Sequence, residues 1–261
     1  MDWSRAKTLL IIAFLLLDLF LGHEVYKVRV LGEPASSRAD ATADATRDLL
    51  ELWGIRVEIP LPETVPNVAV LYVRSPYDLG AVRAGGKEVW EHQGLLLAVW
   101  KRALHVPSPR PDAVAERLAD EVFRFPEYRY DPVQSLDSRH VFVQTVNNLP
   151  LFDVTVEATV ENGVLRGYVQ RYAEVRQMGL AYPAVPPQAA LFTLVRNGLL
   201  PPGAVVQHVE LGYTGYPTGS EEQALLPVWR ILASGRVYYV NAITGGIERP
   251  PSLERASLLL K

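Results

Sequence analysis

The stretch VTVEATVENGVLRGYVQRY, residues 154–172, decides the fold class. Val154, Val156, Ala158 and Val160 alternate with Thr155, Glu157, Thr159 and Glu161, the period of two that a strand with one buried face requires. Asn162-Gly163 follows, the pair that most readily takes the positive φ angles of a type I′ turn, so the chain doubles back as a hairpin. Pairing outward from the turn sets Val160 opposite Leu165, Ala158 opposite Gly167 and Val156 opposite Val169 on the core face. Thr159 with Arg166 and Glu157 with Tyr168 then share the other face, which Gln170 and Tyr172 continue.

The flanking sequence extends this pattern in both directions. His140 to Val146 reads as a strand, Gln188 to Asn197 as a helix stopped by Gly198 and Pro201-Pro202, and Val205 to Tyr213 as another strand. A second hairpin turns at Ser234-Gly235, with Trp229 and Ile231 on one face with Tyr238 and Val240. Upstream, Ser36 or Ser37 caps a helix running to Trp53, with Gly54 as its C′ residue. Strands are expected over Ile55 to Ile59, Val68 to Val73, Lys87 to His92 and Leu95 to Trp100, and Asp112 caps a helix from Ala113 to Phe123. Helices and antiparallel strands without a βαβ rhythm place the chain in the α+β class. The expected division is two small domains, 31–135 and 136–261, meeting near Ser135.

Residues 1–30 are of another kind. LLIIAFLLLDLFL, residues 9–21, holds eleven Leu, Ile and Phe residues, whose insertion energies sum to roughly −3 to −6 kcal/mol against about +3 for Asp18. A helix from Trp3 to Tyr26 would span about 36 Å, enough to cross a bilayer with an aromatic residue at each interface. No small-residue cleavage site follows Gly22, so the segment is expected to stay as a signal anchor, with a short cytoplasmic tail and the rest of the chain outside the cell. Asp18 and Gly22 lie one turn apart on one face, either as a contact for a partner helix or, for Asp18, as a carboxylate close enough to the interface to find water.

Composition narrows the function. With 26 basic and 29 acidic residues the net charge is −3, which offers no general attraction for phosphate backbones, so nucleic acid is not an expected partner. Cysteine is absent, which excludes disulfides and thiolate chemistry. No G-x-S-x-G, H-E-x-x-H or phosphate-binding loop occurs, and the five histidines are scattered. No enzyme, metal or cofactor is implied. What remains is the hairpin face bearing Glu157, Arg166, Tyr168, Gln170 and Tyr172: a protein interface if it is open, ordinary core if a helix covers it.

The opening MDWSRAKTLLIIAFLLLDLFLG, with LD embedded in the apolar run, resembles the N-terminus of the YycI family. The hairpin and PVWRILASGRVYYVNAITGGIE, residues 227–248, resemble that family too, and the latter also resembles the strand pattern of PepSY-type modules; residues 55–135 match only loosely. The resemblance implies a non-enzymatic single-span membrane protein whose anchor and outer part associate with a WalK (YycG)-like sensor histidine kinase and a YycH-like paralogue. Such a complex adjusts kinase output and thereby cell-wall metabolism. The alternative is an extracytoplasmic PepSY-like inhibitor or ligand-binding module. Arg far exceeds Lys in this chain, a departure that bears on the surface contacts.

Overall fold

A computed structural model of the chain describes residues 35–76, 86–215 and 222–249, together with Lys7, residues 10, 11, 13–18 and 20. Two compact units emerge, Met1–Arg47 and Asp48–Lys261. In the first, the described residues between 7 and 20 are helical, and Leu10, Phe14, Leu15, Leu16 and Phe20 are exposed. Asp18 is helical and exposed, and Gly22 lies outside the described residues. Among the described residues, no helix is long and apolar enough to cross a membrane.

Helix α1 runs from Ala35 to Leu52, so Ser36 and Ser37, expected to cap it, lie within its first turn instead. It ends as expected: Gly54 takes φ +63°, and the Ile55 amide donates to the Leu50 carbonyl at 2.8 Å, the left-handed stop that glycine permits at low cost. Then come β1 (Arg56–Val57), β2 (Asn67–Val68), β3 (Leu71–Arg74), β4 (Lys87–His92) and β5 (Leu95–His105). Helix α2 (Pro111–Leu118) starts at a proline with Arg110 rather than Asp112 in the cap position, and a 3₁₀ turn covers Phe125–Glu127. The remainder is β6 (Tyr128–Tyr130), β7 (Arg139–Val146), β8 (Leu149–Glu161), β9 (Val164–Arg171), β10 (Glu174–Met178), β11 (Tyr182–Pro183), α3 (Pro187–Arg196), β12 (Val205–Thr214), β13 (Gln223–Ala233), β14 (Arg236–Asn241) and β15 (Ile247–Glu248). The fold is mixed α+β and dominated by sheet.

Thirteen of these strands form one sheet, whose central path is β10-β3-β13-β12-β8-β9-β5-β4. This corrects the expected boundary near Ser135. Strand β5 pairs with β9, β3 lies between β10 and β13, and Ser135 sits in the connection between β6 and β7, which are paired to each other. Two separate domains would each leave open strand edges and half-covered apolar faces, which cross-pairing removes. Two apolar layers cover the sheet. Val114 and Leu118 of α2 pack with Phe142, Val156, Ala158, Leu165 and Tyr168. Ala190, Leu191, Leu194 and Val195 of α3 pack with Val206, Trp229, Ile231 and Val240. Each fully buried leucine in these layers contributes about 2 kcal/mol of transfer free energy.

The two hairpin turns form where expected. Asn162 and Gly163 take φ +52° and +72°, and Ser234 and Gly235 +48° and +76°. The β13–β14 register is the expected one, with Trp229 opposite Val240 and Ile231 opposite Tyr238. In the β8–β9 hairpin, however, the register slips after the first pairs: Val160 faces Leu165, but Ala158 faces Tyr168 and Val156 faces Gln170. Arg166 and Gly167 together stand opposite Thr159, a β-bulge. Gly167 makes it possible, because a Cβ there would lie 2.5 Å from the Ala98 carbonyl oxygen of β5.

Candidate functional site

That one-residue slip exchanges the two faces of β9 beyond the bulge. Tyr168 and Gln170 are 0% exposed and Tyr172 is 4% exposed, so three of the five residues expected on an open interface belong to the core. The chain between α2 and β6 covers them. Tyr168 packs on Trp100 with ring centroids 5.4 Å apart, its hydroxyl donates to the Glu121 carbonyl at 3.4 Å, and burial together with the Glu121 carboxylate pushes its phenol well above the ordinary tyrosine range. Gln170 donates to the Phe123 carbonyl at 2.7 Å, and Tyr172 meets Phe123 edge-on at 5.1 Å. Arg166 remains exposed. Glu157 is half-buried on the opposite face, 3.4 Å from a guanidinium nitrogen of Arg139.

Sequence reasoning missed a charged cluster that joins strands far apart in the chain. Arg230 of β13, 2% exposed, donates through Nη1 to Asp131 Oδ2 at 2.5 Å and through Nη2 to Asp131 Oδ1 at 3.1 Å and Glu210 Oε2 at 2.8 Å. Its guanidinium lies 4.1 Å from the centre of the Phe152 ring. Asp131 also accepts from the Val133 amide and the Gln134 side chain, and Arg129 bonds the other oxygen of Glu210. Burial pushes the Glu210 carboxyl up, but His208, Arg230 and Arg129 more than offset this and hold it at about 2. These carboxylates are committed to their neighbours, and the cluster works as a clamp between β6, β12 and β13 rather than as an acid–base pair.

Because the folded state depresses the pKa of Glu210 below the ordinary value of 4.5, its contribution is full above about pH 4.5 and fades as pH falls towards 2. Urea unfolding of the native chain is expected to lose up to about 3 kcal/mol from this group across that window. Glu210→Gln should show a correspondingly shallower loss; an identical pH slope in the two proteins would refute the assignment.

The surface that is open lies at the other end of the sheet. Among the described residues β4 pairs only with β5, so its outer edge presents unpaired backbone groups. On the face away from α2, Trp90 is 52% exposed and, with His92, Leu95, Leu97 and Val99, lines a shallow apolar groove of about 520 Å³. An exposed aromatic-bearing sheet surface thus lies on β4 and β5, while most of the one expected on β8 and β9 is buried. The signal was available in the sequence as Trp90, Leu95, Leu97 and Val99 at strand spacing.

A sheet-dominated α+β domain following an apolar N-terminal segment is the class of protein these features define. Within that class, the model of the family described as YycI protein matches residues 43–243, and the chain belongs to the YycI family. No protein of curated function matches it. Among solved structures, an uncharacterized protein from Eubacterium rectale is similar at 9% identity and a TM-score of 0.45, covering 76% of this chain and 91% of its own. The Bacillus megaterium YpeB C-terminal domain is similar at 14% identity and a TM-score of 0.39, covering 80% of this chain and 96% of its own.

Proposed function

We propose that this chain is a non-enzymatic, membrane-anchored regulator of a WalK (YycG)-like sensor histidine kinase, acting with a YycH-like paralogue on control of cell-wall metabolism. The observation that carries this reading is the family match over residues 43–243. The apolar run at residues 9–21, whose described side chains are exposed, supports an anchor with the N-terminus in the cytoplasm and the Asp48–Lys261 unit outside the cell. The groove beside Trp90 supports association through surfaces rather than catalysis.

In this reading the anchor also takes part in assembly, with Asp18 and Gly22 against a partner helix. Hydrogen bonds between helices in bilayers average about 0.6 kcal/mol, roughly threefold in association. The test is co-purification of the tagged full-length chain from its native membrane. The kinase and a second single-span protein are expected to accompany it, and Asp18→Leu should reduce their recovery about threefold although the substitution favours insertion by about 3 kcal/mol. Gly22→Leu should do the same by holding the helices apart. Recovery of neither protein would sink the regulatory reading. Undiminished recovery with both variants, at equal membrane levels, would leave the anchor as a tether only.

A further inference from the structure

The hairpin that ends the sheet leaves its outer strand open in a defined way. His92 and Leu95 pair across the β4–β5 turn, flanking Gln93 and Gly94, whose φ angles are +49° and +72°. The pair that closes a two-residue hairpin exchanges backbone bonds, and antiparallel pairs alternate from there. Trp90 and Glu88 therefore bond towards β5, as does Gly86, whose carbonyl accepts from the Lys101 amide at 3.0 Å. The N–H and C=O groups of Lys87, Val89 and Glu91 are turned to the outer edge, where no strand meets them among the described residues.

Native sheets guard such edges with bulges, prolines or charges. Strand β10, at the far end of the sheet path, carries a register shift between Val175 and Gln177 and an ion pair of Glu174 with Arg176. Strand β4 has an unbroken register, no proline, and Trp90 near its centre, 52% exposed beside the apolar groove of Leu95, Leu97 and Val99. Its free charges are of one sign, which bars some strands and admits others. Glu88 and Glu91 are exposed and form no ion pair among the described residues, whereas the single lysine of the strand, Lys87, is buried against Glu121. Two copies joined at β4 would gather four carboxylates along one seam, while a basic strand would meet them with opposite charge.

We infer that β4 is a docking edge for an extended strand of another protein, added antiparallel, with an apolar side chain against Trp90 in the groove and basic side chains opposite Glu88 and Glu91. Main-chain bonds to Val89 and Glu91 hold such a strand, and the side chains select it. The edge belongs to the Asp48–Lys261 unit and goes beyond the regulatory reading, since it stands whether or not a kinase is the partner.

The test uses the full-length chain in lipid nanodiscs with ¹⁵N-labelled tryptophan, the Trp90 indole signal being identified by its loss in Trp90→Phe. The probe is the N-acetylated, C-amidated peptide Thr-Lys-Ile-Val-Lys-Thr, which sets its isoleucine opposite Trp90 and its two lysines opposite Glu91 and Glu88. It is expected to shift the Trp90 signal saturably. An analogue N-methylated at the first lysine and the valine loses the amides that face Glu91 and Val89, and should bind about tenfold more weakly or worse. One methylated at the isoleucine and the second lysine keeps them and should bind as the parent does. Glu88→Gln, a surface change that spares the fold, should weaken binding of the parent about threefold, the weight of one exposed ion pair. A Trp90 signal unmoved by the peptide overturns the proposal, as do two methylated analogues that bind alike or an unchanged affinity in Glu88→Gln. So does a signal moved only by raising the protein concentration or by a spin-labelled lipid, which would give the edge to a second copy or to the bilayer. Failure here leaves co-purification of the kinase, the test of the regulatory reading, untouched.

Discussion

Replacing Asp131 with alanine is expected to lower the stability of the chain by about 3 kcal/mol, measured by denaturant unfolding in micelles. The loss comes less from the attraction removed than from what is left behind. Arg230 keeps its charge at 2% exposure with only Glu210 to answer it, and the Val133 amide and Gln134 side chain lose an acceptor. The surviving bond to Glu210 places the figure at the low end of the usual range for breaking a buried pair. Removing both charges in Asp131→Ala/Arg230→Met should recover much of the loss, because a methionine can keep the contact with the Phe152 ring without needing a counter-charge. A single variant that costs less than about 1 kcal/mol would show that the clamp does not hold the strands.

The second large effect is Tyr168→Ala, expected to cost about 3–5 kcal/mol as other buried aromatic truncations do. The ring fills the space under Trp100 and is wholly covered. Tyr168→Phe should cost about 1 kcal/mol or less, since it removes only a 3.4 Å hydroxyl contact. Arg166→Ala, two residues away and exposed, should stay within about 0.5 kcal/mol of the native chain. This contrast reads the bulge directly: in the unslipped register Tyr168 would be the surface residue, and its truncation would be nearly silent.

Local chemistry was legible wherever the signal was local. Asn162-Gly163 and Ser234-Gly235 turned where their backbone freedom allows, and Gly54 stopped α1. The bulge was legible in part, since a glycine inside an alternating strand is a mark of such a break, and Gly167 sits immediately before Tyr168, the first misassigned side chain. The alternation on β8 concealed it, because a regular first strand says nothing about an extra residue in the second. The continuity of the sheet and the clamp were not legible. Asp131 and Arg230 are 99 positions apart, and nothing in the sequence near either of them announces the other. For the candidate site, the exposed strip around Trp90 was written in strand spacing.

The path of the sheet also bears on how the chain is made. Strand β3, at residues 71–74, waits for β10 on one side and for residues 223–225 of β13 on the other, and β1 waits for β12. A nascent chain emerging from its N-terminal end must therefore carry these early strands with open edges until residues 205–225 have been synthesised. Strand β10 closes one edge of β3 and residues 223–225 the other, so a product truncated before residue 223 would present β3 with one edge bare, a template for association with other unfinished chains.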